Sequence, residues 1–324
     1  MKLVTYSRSH KHEERLGALL DDGHVLNVQG AHCVVGGTLD PALQSMQSLI
    51  ESGPAGLERV RALVLSNDPG CRLTVGRDIR LLSPLPRPEQ LRDCMCFKDH
   101  MIGCAESIRR QSGAAAISHR HAAMIEILGT QPLYCKSNRF AVIGTEEDVF
   151  WPKYSKVIDY ELEMAAILWR SGKNMTPAEV KDRIFGYTIF NDFTARDTQA
   201  VDGRAGLGPL KSKDFDRSNA LGPCIVTADA FDPYDCAMTV RVNGEVRSRG
   251  HSSTMTWTFE DALSLISQEE TLYAGEVFGS GTVGGGSGLE LERYLQDGDV
   301  IELEIEGIGV LRNQIRVNSA PNQP

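Results

Sequence analysis

Two periodicities organise this chain. Val300-Ile301-Glu302-Leu303-Glu304-Ile305-Glu306 alternates without a break, which predicts a strand with one buried and one solvated face. Residues 1 to about 28 carry two alternating segments around Asp22-Gly23 and read as a β-hairpin. Ala237–Arg249 reads as a second hairpin, turning at Asn243-Gly244. Leu43–Leu65 has helical spacing with a break at Gly53-Pro54. Thr176-Pro177-Ala178-Glu179 combines an N-cap, a first-turn proline and a capping-box glutamate. It predicts a helix running to about Phe185, stopped by Gly186. Thr258 precedes another predicted helix, Phe259–Glu269. After Asp159 the reading is otherwise mainly β. Three prolines between Ile79 and Pro88 mark a linker or edge. The boundary expected there separates a small N-terminal domain, residues 1–80, from a larger one, residues 81–324.

The most telling alternation is Asp159-Tyr160-Glu161-Leu162-Glu163, followed at once by the apolar run Met164–Trp169. In a strand, Glu161 and Glu163 share a face with Ala165 and Ile167, which turns both carboxylates inward. Their Cα atoms would lie ~6.7 Å apart, from a rise of ~3.3 Å per residue. Two like charges at that spacing repel by roughly 2–3 kcal/mol at an effective dielectric of ~20. A divalent cation is the natural compensation.

Composition narrows the function. Hydrophobic residues make up 41% and charged residues 24% of 324, and the net charge is −9, values typical of globular domains. No Lys/Arg-rich patch with interleaved aromatics occurs, which argues against nucleic-acid binding. The longest apolar runs are far too short to span a bilayer, and the N-terminus has no apolar signal core, so a cytosolic protein is expected. Eight cysteines are scattered without a CxxC pair. Cys94, Cys96 and Cys104 cluster near His100, as a soft-metal site would, although reduced, partly buried thiols are the plainer reading.

Polar residues that packing does not explain fall in Arg92–His100, Asp159–Glu163, Tyr187–Gln199, Gly206–Phe215, and the glycine-rich stretch from Gly279 to Glu292. Five short motifs stand in order. They are Asp159-Tyr160-Glu161-x-Glu163, Asn191-Asp192-x-x-Ala195-Arg196-Asp197-x-Gln199, Gly208-Pro209-x-x-x-Lys213-x-Phe215, Gly279-Ser280-Gly281-Thr282, and Asp297-Gly298-Asp299 leading into Glu306-Gly307-Ile308-Gly309. On these motifs the chain resembles the fumarylacetoacetate hydrolase family over roughly residues 90 to 316. The resemblance implies an α+β, mainly β fold: a small N-terminal β domain, then a mixed β-roll or sandwich core, usually as a homodimer.

It also implies site residues. Glu161, Glu163 and Asp192 match the shared metal ligands, and Asp93 matches an additional aspartate. An all-carboxylate set selects Mg2+, Ca2+ or Mn2+. Asp159 becomes a supporting residue. His100 matches the general base, Glu290 the carboxylate that orients it, and Lys213 the oxyanion-stabilising lysine, preferred over Lys211. Arg196 and Gln199 match further polar donors, although Arg196 and Asp197 could form a structural ion pair. Arg109, Tyr134 and Thr282 match substrate contacts.

The activity implied is metal-dependent hydrolysis of a C–C bond in a 2,4-dioxo acid, giving a carboxylic acid and pyruvate or a similar keto acid, in aromatic-compound or amino-acid breakdown. Decarboxylation, keto–enol isomerisation, or binding without turnover are the alternatives. Cys96-Phe97 stands where one branch of the family has Asn-Tyr, and Met95 replaces a tyrosine of another. The segment from His100 to Tyr134 is unlike either branch and is expected to shape a lid.

Overall fold

A computed structural model describes residues 1–8, 13–206 and 208–317. Its largest sheet runs from Arg72–Thr74 through His24–Asn27, Arg15–Leu19, Lys2–Arg8, Asn219–Thr227, Ile184–Asp192, Leu162–Leu168, Val277–Gly279 and Leu91–Cys94 to Tyr134–Ser137. Two short strands join it from the side: Ile79–Leu81 on Lys2–Arg8, and Val142–Ile143 on Asn219–Thr227. A five-stranded sheet contains Glu245–His251, Ala237–Val242, Val300–Ile305, Gly309–Val317 and Asp148–Trp151. Ile158–Asp159 and Thr194–Ala195 form a small separate ladder. The fold is therefore α+β and rich in sheet, as expected.

The N-terminal strands belong to the same sheet as the central ones, because Lys2 pairs with Val226 and Leu3 with Ile225. The predicted two-stranded hairpin is a three-stranded meander: Lys2–Arg8 pairs with Arg15–Leu19, which pairs with His24–Asn27. The turn is longer than two residues. Leu20 and His24 close it, and Gly23 supplies the positive φ (83°).

Other local signals hold. Met46–Ser66 is helical, with Gly53 at φ 65° in front of Pro54. Asn243 and Gly244 both adopt positive φ, the geometry of a tight hairpin turn. The Val300–Ile305 strand alternates buried and half-buried positions. The capping boxes at Thr176–Glu179 and Thr258–Asp261 both form. Their helices are shorter than predicted, at Pro177–Lys181 and Phe259–Ile266. Phe185 is instead buried in the Ile184–Asp192 strand, where every side chain is buried. Burial on both faces explains the difference, since a central strand reads as a continuous apolar run without alternation. Among the described residues, no helix is long and apolar enough to cross a membrane.

Two apolar clusters flank the large sheet. One gathers Tyr160, Leu162, Met164, Phe193, Leu303 and Ile315 between the sheets. The other packs Leu3, Leu49, Val60, Ala165, Phe190 and Ile225 under the Met46–Ser66 helix. The central strand Leu162–Leu168 is held between them, wholly buried.

Candidate active site

The site grows from the strand ends of the large sheet. Leu162–Leu168 lies between Ile184–Asp192 and Val277–Gly279, and Leu91–Cys94 runs parallel beyond the latter, with Asp93 level with Gly279. Asp93 and Glu163 are thus separated by a strand whose residue between them has no side chain. A Cβ on Gly279 would stand 2.7 Å from Glu163 Oε2 and 2.9 Å from the Phe190 ring. The missing side chain leaves room for the Glu163 and Asp93 carboxyl groups to approach each other across the sheet. Asp192 ends the neighbouring strand, and ligand oxygens of Asp93, Glu163 and Asp192 lie within 4.8 Å of one another.

Glu161 sits beside this cluster. Its Oε1 faces the Arg196 guanidinium at 2.8 Å, and its Oε2 accepts from Lys213 Nζ at 2.5 Å. The same Nζ contacts Asp192 Oδ2. The predicted acids Glu161, Glu163 and Asp192 therefore converge, with Glu161 and Asp192 sharing one ammonium. Lys211, the rival lysine, is exposed and lies over the Tyr154 ring.

Arg196 is a hub. Its Nε donates to Asp159 Oδ2 at 2.7 Å, and a terminal nitrogen donates to Gln199 Oε1 at 2.9 Å. The suspected pair with Asp197 is absent; Asp197 accepts from Ser155 Oγ and the Lys156 and Thr198 amides instead. Asp159 takes the amides of Gly288 and Leu289, both at 2.8 Å, so it anchors the short helix Gly288–Leu291. A Cβ on Gly288 would meet Asp159 Oδ1 at 2.3 Å.

That helix carries Glu290. Its Oε2 lies 2.7 Å from His100 Nδ1, and its carboxylate also accepts from the Gly285 amide and the Ser287 hydroxyl. His100 is on the helix Lys98–Ser112, and its Nε2 is 3.8 Å from Glu161 Oε1. Gly103, one turn on, leaves room for Glu290, because a Cβ there would stand 2.6 Å from Oε1. The predicted base and its orienting carboxylate are thus in contact.

Burial and charge set the protonation. Asp93, Asp159, Glu161, Glu163 and Asp192 are all buried, and among the described residues Arg196 and Lys213 form the lysine and arginine ion pairs to this group. Burial, with Asp93, Asp192 and Glu161 nearby, raises Glu163 well above the usual carboxylate range. Burial also pushes Asp192 up to about 8 despite Lys213, with Asp93 and Glu161 adding to the rise. Burial would raise Glu161 too, but Lys213, Arg196 and His100 hold it down to about 2. For His100, burial works downward, yet the charges of Cys104 and Glu290 lift it well above the ordinary imidazole value.

Such a carboxylate cluster can hold a divalent cation, and the fit shows in the oxygens. Asp93 Oδ1 and Asp192 Oδ1 are buried without a hydrogen-bond partner, which is costly unless something binds there. Oxygen-only donors suit a hard cation.

The cluster floors a cavity of about 1070 Å3 that also exposes His100, Arg196, Gln199, Lys213 and Thr282. Met95, Met101, Ile108, Met124 and Leu133 give its outer wall an apolar character. The segment after His100 contributes, as expected, through Gln111, Ser118, Arg120 and His121. Tyr134 stands at the rim, 38% exposed. Thr282 faces inward, but its hydroxyl donates to Glu163 Oε1. Arg109 is outside the lining: its guanidinium donates to Glu106 on its own helix and to the Ala114 carbonyl. Sequence reasoning missed Gly103 and the space that Gly279 leaves for Glu163, both set by neighbours distant in the chain. Ser287, which caps the Gly288–Leu291 helix, was legible as a Ser-x-x-Glu start.

A family model for the fumarylacetoacetate hydrolase C-terminal domain matches residues 100–316. The chain is 29% identical to an oxaloacetate tautomerase of Rattus norvegicus named as mitochondrial, over 97% of this chain and 91% of the relative. It resembles the solved fumarylacetoacetate hydrolase of Exiguobacterium antarcticum with TM-score 0.75 and 29% identity, covering 98% of this chain and all of that one. A maleylpyruvate hydrolase from Sphingobium sp. SYK-6, solved with manganese(II) and pyruvate, shares the fold at TM-score 0.71 and 22% identity, over 98% of this chain and 99% of that one.

Proposed function

Since the chain belongs to the fumarylacetoacetate hydrolase family, we propose that it hydrolyses a C–C bond in a 2,4-dioxo acid, releasing a carboxylic acid and a 2-oxo acid. The observation that carries this reading is the His100–Glu290 pair. The carboxylate at 2.7 Å fixes the imidazole through Nδ1, and Nε2 opens towards Glu161 and the cavity. That arrangement suits a base acting on water.

Asp93, Glu163 and Asp192, with Glu161 adjoining, would hold Mg2+, Mn2+ or Ca2+, which when bound supplies Lewis-acid polarisation of the substrate's oxygens. In its deprotonated form, His100 Nε2 takes a proton from water as the water oxygen attacks the distal carbonyl carbon. Glu290 stabilises the resulting imidazolium. Lys213 Nζ and the Arg196 guanidinium provide positive charge for the developing oxyanion. When the C–C bond breaks, the electron pair leaves with the 2-oxo acid fragment, and the imidazolium returns its proton there. The apolar outer wall and the cavity of about 1070 Å3 fit an acyl substituent larger than the oxo-acid head.

A second reading is keto–enol tautomerisation, favoured by the match to the rat tautomerase over 97% of this chain. His100 would then move a proton between carbon and oxygen, with no water attacking.

One experiment separates the two. Acylpyruvates are followed by loss of enol absorbance with and without Mg2+ or a chelator, with products identified, and oxaloacetate is followed in parallel for interconversion without cleavage. Cation-dependent release of pyruvate and an acid, abolished in His100→Ala, is expected. Rapid oxaloacetate interconversion with no cleavage of any acylpyruvate would leave the tautomerase reading. Turnover retained in His100→Ala would point to decarboxylation.

A further inference from the structure

Lys213 differs from the other charged groups of the site in how its backbone is carried. Arg196, His100 and Glu290 stand on helices, and Glu163 and Asp192 on strands. Lys213 stands in a turn instead, on the connection that leaves the helix Arg196–Ala205 through Gly206 and Gly208, both at positive φ (75° and 81°). Its four-carbon stem is long and gives up much rotamer freedom when ordered. Nζ meets both Glu161 and Asp192 only while the main chain beneath it is held still.

One buried side chain does much of that holding. Asp202 Oδ2 accepts from the Leu210 amide at 3.0 Å and from the Ser212 amide at 3.1 Å. The Lys213 amide in turn donates to the Leu210 carbonyl at 3.0 Å, and the Ser212 carbonyl accepts from the Ala195 amide at 2.9 Å. Asp202 therefore grips the turn on both sides of Lys211, immediately before Lys213. Burial would raise its carboxyl, but the bonds from Ser212 and Leu210 hold it below the usual carboxylate range, so it is an anion at neutral pH. Hydrogen bonds to an ionised acceptor are the stronger kind. Asp202 also shares its helix with Arg196, six residues earlier, or about 9 Å along the axis at 1.5 Å per residue. Arg196, Gln199, Ala200 and Gly203 line the cavity, whereas Asp202 does not. One helix thus presents one cation to Glu161 directly and ties down the turn that presents the other.

We propose that Asp202 is a positioning residue for Lys213: by holding the Leu210 and Ser212 amides it keeps Nζ against Glu161 and Asp192 and sets the spacing between Lys213 and Arg196. The same bonds seat the part of the cavity wall made by Gly208, Pro209 and Leu210. Asp202 itself touches no reacting atom. Its kinetic consequence rests on the reading of Lys213 as the partner of the oxyanion; its hold on Lys213 does not.

The test is amine footprinting of the full chain, metal-free and without substrate. A short pulse of acetic anhydride, mapped by mass spectrometry, should spare the buried Lys213 and modify the exposed Lys211. N-ethylmaleimide in the same pulse reports on Cys224, which is 0% exposed in the large sheet and is reached only if the fold opens. In Asp202→Ala, Lys213 labelling should rise about tenfold or more while Cys224 stays protected. Asp202→Asn, whose amide oxygen still accepts from the main chain, should restore most of the protection and stands in should the alanine variant unfold. In turnover assays with Mg2+, Asp202→Ala should lower kcat about tenfold or more with KM little changed, and should add nothing in a Lys213→Met background. Lys213 equally protected in Asp202→Ala, or labelled only together with Cys224, overturns the proposal, as do additive losses in the double variant. The footprint needs no turnover, so failure of the proposed reaction and failure of the proposed positioning are distinguishable.

Discussion

Replacing Glu290 with glutamine changes one charge and almost no volume, and it tests the base directly. The wild-type carboxylate is buried, 2.7 Å from His100 Nδ1, and accepts from Gly285 and Ser287 as well. Once His100 has taken a proton, the two charges lie roughly 4 Å apart. At an effective dielectric of ~20 their attraction is about 4 kcal/mol. A neutral amide oxygen in the same place returns about 1 kcal/mol as an ordinary hydrogen bond. Its NH2 must also face either the imidazole N–H or the Gly285 amide, donor against donor. The net loss is about 3 kcal/mol, which at ~1.36 kcal/mol per decade is roughly a hundredfold fall in kcat/KM. Initial rates on the best acylpyruvate or on oxaloacetate measure it. Proton NMR of the His100 imidazole gives a readout independent of substrate: its titration midpoint should fall, because one of the charges that raises it has gone. A loss under about threefold, with an unmoved midpoint, would refute the claim that Glu290 orients and charges the base.

Other outcomes follow from the same contacts. Lys213→Met leaves Glu161 and Asp192 facing each other without their shared cation. The metal-free protein should lose about 3–5 kcal/mol, and part of it should return with Mg2+; equal melting temperatures for variant and wild type would contradict this. Gly279→Ala drives a methyl group into Glu163 and the Phe190 ring, so Mg2+ affinity should drop at least about tenfold by calorimetry, whereas an unchanged Kd would sink the idea that this gap seats Glu163. Asp192, raised from 3.8 to about 8, keeps a proton in the folded chelated protein that the unfolded chain has lost. Stability should therefore fall as pH rises from about 4 to 8, while apparent cation affinity strengthens over the same range. Melting curves in chelator and Mg2+ titrations at several pH values check both trends, and a rising melting temperature would oppose them.

Much of the candidate site was legible because it rests on short-range pattern. The Asp159–Glu163 alternation placed two acids inward by parity alone, and both are buried. Thr176 and Thr258 announced their helices through local capping. What stayed hidden depends on partners far along the chain. Nothing near Lys2 indicates that its strand will pair with one at Val226. Arg196 has Asp197 next to it, yet its charge goes to Asp159 and Glu161, since Asp197 accepts from the Thr198 amide at its own helix start and from the distant Lys156 amide. Arg109 carries the right charge for a substrate contact, but a helical neighbour three residues away takes it. Gly103 and Gly279 look like ordinary flexible positions until Glu290 and Glu163 are seen filling the space each leaves.

The Asp159 side chain joins the amides that seat the Glu290 helix to the guanidinium that steadies Glu161. Glu161 and Glu290 are thereby framed by interior strands and one short anchored helix, and His100 meets them from the buried face of the helix Lys98–Ser112. The lining contributed by residues 108–124 comes instead from surface helices with little buried area. Mutations there can drift through many sequences while the reactive floor stays fixed. A lineage on this scaffold is free to change what enters the cavity one wall residue at a time without rebuilding the buried floor.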